Sequence, residues 1–268
     1  MMPTHKSMQK NTLKRLKYLA KRIRNYKDKY DAAHDARAIF AFMYFKMTED
    51  IAEFIHSPEM AFDDPERITS LAEDLAERYM EAMDNIDDWL ENGRQKEIYE
   101  TVPRPWADAY LAIRDGRSYV VEDMVFLLMA HITHDIPLGL LKLRMEENGR
   151  SHISDYHRLN EIAARKVNDV QNIVAKRYNR FLIFLDKLSG NYDEFLTNYG
   201  IRIARSVAWY NACRLRDPLS EKEARESIER SNTSFINSIR NPDSVLLRIS
   251  LRVVRILIPP RRRWPKVR

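Results

Sequence analysis

The sequence predicts an all-α protein, a single orthogonal multi-helix bundle with basic helical extensions at both ends. Three observations point there. Apolar residues recur at three- and four-residue spacings through most of the 268-residue chain, the period of a helix that buries one face. No segment alternates apolar and polar residues between turn signals, as a half-buried strand would. Only six glycines occur, and hairpins and bulges draw on glycine. No internal repeat or flexible linker interrupts the pattern. Residues 31–240 therefore read as one helical domain, flanked by a basic helix over 1–30 and a basic amphipathic helix with a tail over 241–268.

In residues 8–30, Leu13, Leu16, Leu19 and Ile23 lie at helical spacing among basic residues. His34 to Ile55 repeats the period with Ile39, Phe42, Met47 and Ile51. Ser57-Pro58 and Asp63-Asp64-Pro65 stop that helix and cap the next, which Ile68, Leu71, Leu75, Tyr79, Met83 and Ile86 carry to about residue 92. Pro103 and Pro105 open a short helix through Ile113 that ends at Asp115-Gly116. The next helix runs from Tyr119 to Met145 and is apolar on all sides over Val125–Met129, the pattern of a buried helix. Pro137 lies inside it, removes a backbone donor and crowds the preceding turn, so a kink or break is expected near Thr133–Asp135. Further helices are expected over 154–188 and 193–215, after Pro218, and over 243–258.

The net charge of +6 is unevenly spread. Residues 1–30 carry +9 and residues 244–268 carry +8, which leaves −11 on the 213 residues between. Basic ends on an acidic body suit an anionic membrane, nucleic acid, or simple solvation as tails. The one cysteine, Cys213, excludes an internal disulfide and a cysteine-ligated zinc site. The N-terminus lacks the apolar stretch of a secretory signal. The run Met124 to Ile132, broken by His131, falls short of the roughly 20 residues that span a bilayer. The expected location is the cytoplasm, with the basic ends able to hold the protein at a membrane surface.

Four stretches together resemble the domain-of-unknown-function 5995 family of bacterial proteins. They are Asp35-Ala-Arg37-Ala-Ile-Phe40 with Tyr44 and Thr48, Ala76-Glu-Arg78-Tyr79 with Val102-Pro-Arg-Pro-Trp106, Ala130-His131-Ile-Thr-His-Asp135-Ile-Pro137, and Arg205-Ser-Val-Ala-Trp209-Tyr-Asn211-Ala. The third is the most specific, and departs from the usual family pattern at Thr133, where the family has Asn. The resemblance spans about residues 34–215. It implies a helical fold and supplies position rather than mechanism.

His131 and Asp135 are four residues apart, so a helix puts both on one face, about 6 Å apart along the axis. Delivered into a core, each needs a partner. Three kinds are available. Asp135 can pair with a buried arginine, for which Arg37, Arg78 and Arg205 are the candidates. It can orient His131 as a general base. Or both can join His152 and Asp155, three apart at the start of the next helix, as four ligands to zinc or another divalent ion. The His-x-x-x-Asp pair is similar to one used by the zinc-dependent phospholipase C and P1 nuclease families, although those need more histidines than this chain supplies nearby. The plainer alternatives are a core histidine bonded to a carbonyl and a helix cap at Ser154-Asp155. Trp106 and Trp209 read as core, with an apolar pocket wall as the alternative. Asp84-Asn-Ile-Asp87-Asp88 resembles the aspartate-rich motif of helical terpene cyclases, with Asn168-Asp169 as an incomplete companion; a solvated helix face is the simpler reading.

Residues 245–258 put Arg248, Arg252 and Arg255 on one stripe opposite Leu247, Leu251, Val254 and Ile258, with Arg261-Arg-Arg-Trp264 beyond. Such a helix suits an anionic membrane surface or docking on the acidic body. The absence of any nucleic-acid motif counts against nucleic acid. Two functional classes follow. One is an enzyme, a hydrolase or lyase on a small or lipid-like substrate, using the His131/Asp135 site with or without a metal. The other is a non-catalytic helical protein that binds a lipid-like ligand or sits on a membrane.

Overall fold

A computed structural model describes residues 5–92, 97–147, 150–163 and 198–257. They form an all-α bundle. In chain order the helices are α1 (His5–Ala32), α2 (Arg37–Phe54), α3 (Pro65–Glu91), α4 (Arg104–Arg114), α5 (Val120–Ala130) and α6 (Ile136–Lys142). Residues 153–163 form α7, followed by α8 (Asn198–Arg216), α9 (Glu221–Arg240) and α10 (Val245–Leu257). The only strands among the described residues are β1 (Glu146–Glu147) and β2 (Arg150–Ser151), a two-residue antiparallel hairpin. Most of the helix expected over 154–188, and Asn168-Asp169, lie outside the described residues.

The boundaries follow local chemistry. Asp64 caps α3 by accepting the Arg67 amide at 2.9 Å, with Pro65 at the first helical position. Gly116 takes φ 69° just beyond α4, a conformation that suits a residue without Cβ. The Tyr119 amide donates to Glu122 Oε2 at 3.1 Å at the start of α5.

The basic N-terminal helix is not a solvated tail. Leu16, Leu19, Ile23 and Tyr30 are buried in the main core, and α1 packs on α2 and α3. Its basic face meets the acidic face of α3: Arg15 pairs with Glu66 and Glu73, Arg22 with Glu77, and Lys29 with Asp87 at 2.7 Å. Exposed pairs of this kind contribute about 0–1 kcal/mol each, against about 1.5–3 kcal/mol for each buried aliphatic side chain. The apolar stripe holds the helix, and the charges set its register. The same contacts account for the aspartate-rich motif. Asp84 accepts from Tyr26 at 2.8 Å, and Asp87 pairs with Lys29 and Arg37. Asp84 and Asp88 are exposed, as a solvated face requires, and the partners of Asp84 and Asp87 on α1 and α2 engage those two carboxylates.

Pro137 does not break the long apolar helix. Between α5 and α6, residues His131–Asp135 form a π-turn, in which the Ile136 amide donates to the His131 carbonyl five residues back. Widening the turn relieves the crowding that proline imposes on the carbonyl four residues earlier, and the helix continues. The resulting stretch Glu122–Lys142 is long and apolar enough to cross a bilayer by length and composition, and it is mostly buried within the bundle. The π-turn is the hub of the fold, with α3, α4, α8 and α9 packed against it.

Candidate functional site

The π-turn carries His131 and Asp135 into the core. The Asp135 carboxylate is fully buried and accepts three hydrogen bonds. His131 Nδ1 donates to Oδ2 at 2.9 Å, while His134 Nδ1 at 2.9 Å and Trp106 Nε1 at 3.1 Å donate to Oδ1. Because a carboxylate only accepts, each ring nitrogen facing it carries the proton. Burial alone would push the Asp135 carboxyl up; the hydrogen bonds from His131 and His134 outweigh it and hold the group below its ordinary value.

An aromatic wall surrounds His131. Its ring lies 4.8 Å from Tyr44, 5.9 Å from Phe40 and 6.4 Å from Trp106, and the His131 side chain retains 9% exposure. The Tyr44 and Tyr79 hydroxyls are buried with no hydrogen-bond partner among the described residues. Burial raises the Tyr44 hydroxyl well above its ordinary value, the Asp135 charge adds to this, and Arg205 opposes it. Tyr44 therefore stays neutral and presents an O–H donor beside His131.

This chemistry is that of an oriented imidazole. Asp135 fixes the tautomer and plane of His131 through Nδ1, while the described hydrogen bonds leave Nε2 unengaged. Of the three candidate arginines, two are committed elsewhere. Arg37 is buried between Asp35 at 2.7 Å and Asp87 at 2.8 Å, and Arg78 pairs with Asp74 on its own helix at 2.8 Å. Neither meets Asp135, whose partners are uncharged or imidazole donors instead. Arg205 lies on α8, which packs against the π-turn, and reaches the Tyr44 hydroxyl electrostatically.

The expected metal set does not assemble. Asp155 is buried and accepts the backbone amides of Asp63 and Asp64, both at 2.8 Å, and a hydrogen bond from Arg158 at 2.6 Å. It clamps the turn that starts α3, so both of its oxygens are already engaged. The His152 amide donates to Met145 at 2.8 Å, closing the hairpin. Among the described residues, no three His, Cys, Asp or Glu side chains are grouped to hold a metal ion.

Trp106 is core, and its indole N–H also serves the site. Trp209 packs on Tyr156 in a tilted arrangement with centroids 5.3 Å apart, and helps to line a separate cavity of about 300 Å³ with Leu140, Leu141 and Met145. Sequence reasoning missed His134 and Tyr44 as site residues. His134 was visible as the neighbour of Asp135 in the same run. Nothing in the spacing of Tyr44 announces its approach to a helix 87 residues later.

The model of one protein family, a family of unknown function (DUF5995), matches residues 16–242. The chain belongs to that family. The match includes α1 from Leu16 onward and ends before α10, so the basic N-terminal helix is part of the shared domain and the C-terminal helix is not. No curated protein and no solved structure matches the chain.

Proposed function

We propose that this protein is an enzyme that moves a proton at His131, in a hydrolase or lyase reaction on a small or lipid-like substrate. One observation carries the reading: His131 is held through Nδ1 by a buried, ionised Asp135 on a π-turn, with Nε2 unengaged among the described residues and some exposure left to the ring. π-turns recur at functional sites because they turn side chains away from regular helix register. In a hydrolysis, Nε2 takes a proton from water as the oxygen attacks and returns it to the leaving group. In an elimination it takes the proton from carbon while the C–H electron pair forms the double bond and the leaving group departs with the electrons of its own bond, to be protonated by the imidazolium or by water. Tyr44, neutral and beside the ring, supplies a hydrogen bond to developing negative charge.

Hydrolysis of p-nitrophenyl butyrate and p-nitrophenyl phosphate by the full chain, compared with His131→Gln, tests this. General base catalysis contributes about 10²–10⁴-fold, so the variant should lose activity on that scale. Equal rates for the two proteins would contradict the reading.

A second reading, attachment to an anionic membrane surface, has its own support in α10. Leu246, Ile249, Val253 and Ile256 lie on one side of this helix and are 78%, 54%, 49% and 80% exposed, while Leu251 is buried and holds the helix to the body. Arg248 and Arg252 are exposed beside that stripe. An outward apolar stripe with flanking arginines matches an interfacial helix. Co-sedimentation with phosphatidylserine vesicles should be strong for the intact chain and weak for Leu246→Asp/Ile256→Asp. Equal binding by both would remove this reading without touching the first.

A further inference from the structure

We propose that the cavity between α6 and α8 binds a small amphiphilic anion, a carboxylate or phosphate on a medium-length alkyl tail. The cavity holds about 300 Å³ where the end of α6 packs on α8. Leu140, Met145 and Trp209 give it apolar walls, and Arg144 and Arg216 add positive charge. No acidic residue is among the described residues that line it. An anionic head there meets two guanidinium groups while its tail leaves water. At about 30 Å³ for each water-sized group, the volume admits about ten, the heavy-atom count of octanoate.

The way α6 ends brings these groups together. The Met145 amide donates to the Leu140 carbonyl and the Arg144 amide to the Leu141 carbonyl, both at 3.1 Å, the two bonds of a Schellman motif. The motif draws the Leu140 and Met145 side chains toward each other, and both line the cavity. It also needs a left-handed residue at its centre, where glycine is the least strained choice. This chain places Arg144 there, at φ 49° and with its side chain exposed. The turn itself gains nothing from an arginine in that conformation, and strain of this kind collects at ligand clamps. The strained arginine is an observation independent of the cavity, and it falls on the cavity's charged side. The wall on α8 is preformed: Trp209 rests on Tyr156, whose hydroxyl donates to the Arg205 carbonyl at 2.9 Å.

The inference goes beyond the catalytic reading, because this cavity is separate from the His131 ring and its binding is read without turnover. Cys213 lines the cavity and is the one cysteine of the chain, so its reactivity reports occupancy. Alkylation of Cys213 in the full chain by N-ethylmaleimide is followed by mass spectrometry with octanoate, octyl phosphate, butanoate or octan-1-ol present. At about nine times Kd, an anion with the eight-carbon tail should slow the reaction about tenfold. Each buried methylene is worth about fourfold in affinity, so butanoate should bind about a hundredfold more weakly than octanoate. Octan-1-ol, which has the tail without the charge, should need about a tenfold higher concentration. Protection by octanoate alone assigns a carboxylate, by octyl phosphate alone a phosphate monoester, and by both a site for either head. Arg144→Gly and Arg216→Gln should each weaken protection about tenfold, with Tm held, or raised in Arg144→Gly as the turn relaxes. Protection in a wild type that hydrolyses no ester supports the site and counts against catalysis alone. Equal protection by octanoate and octan-1-ol, protection unchanged in both arginine variants, or no protection by either eight-carbon anion overturns the proposal and leaves the His131 reading untouched.

Discussion

The Tyr44 ring centroid lies 4.8 Å from that of His131, and the Tyr44 hydroxyl is buried with no hydrogen-bond partner among the described residues. A hydroxyl so placed costs the fold about 1–3 kcal/mol of unrecovered hydration. Tyr44→Phe keeps the ring packing and removes that cost. Stability by urea unfolding is therefore expected to hold or rise by about 1 kcal/mol. A loss of more than about 1 kcal/mol would mean that the hydroxyl has a structural partner.

Asp135 should behave oppositely. It receives His131, His134 and Trp106 at once. Asp135→Asn turns one acceptor oxygen into a donor facing at least one N–H in a buried site. The expected loss is about 2–4 kcal/mol in the same measurement. A variant as stable as the wild type would mean that the three donors do not converge on this carboxylate.

The long helices, their caps and the placement of the His131 helix in the core were legible because periodicity and turn chemistry are local. The His131/Asp135 pair was legible for the same reason, being four residues apart on an all-apolar helix. Partners that approach from elsewhere were not. Arg37 finds Asp87 fifty residues on, Asp155 finds the amides of Asp63 and Asp64, and Trp106 finds Asp135, all through packing that no local pattern encodes. Pro137 announced a disturbance but not its form, since a kink and a π-turn both answer the same clash. The charge at the N-terminus suggested a free tail because its complement, the acidic face of α3, begins more than thirty residues further along the chain.

Asp155 separates a structural clamp from a metal ligand. Removing it leaves the amides of Asp63 and Asp64 without their acceptor. Asp155→Ala should therefore cost about 2–4 kcal/mol, and metal chelation should leave the melting curve of the wild type unchanged. A stable Asp155→Ala protein, or a wild type that loses stability in EDTA, would restore the metal reading.

Asp123 should dominate the pH dependence of stability near neutrality. It is buried at the start of α5, accepts from Ser118, and burial, with Glu122 nearby, pushes its carboxyl up to about 8. Between about pH 4 and pH 8 the folded group holds a proton that the unfolded chain has released. The unfolded state binds fewer protons there, so stability is highest below that window and falls as pH rises through it. Asp123→Asn should flatten the profile over this range and be the more stable protein at its upper end. Urea unfolding at intervals of pH checks this, and parallel profiles for both proteins would contradict it.

Asp135 fixes His131 with its proton on Nδ1 and its lone pair on Nε2. Long-range ¹H–¹⁵N correlation spectra of the ¹⁵N-labelled full chain near neutral pH, with His131 assigned from the loss of its signals in His131→Gln, read this directly. The expected spectrum shows a protonated Nδ1 and an unprotonated Nε2 for His131, with the pattern lost or reversed in Asp135→Asn. A His131 that carries its proton on Nε2 in the wild type would contradict the claim.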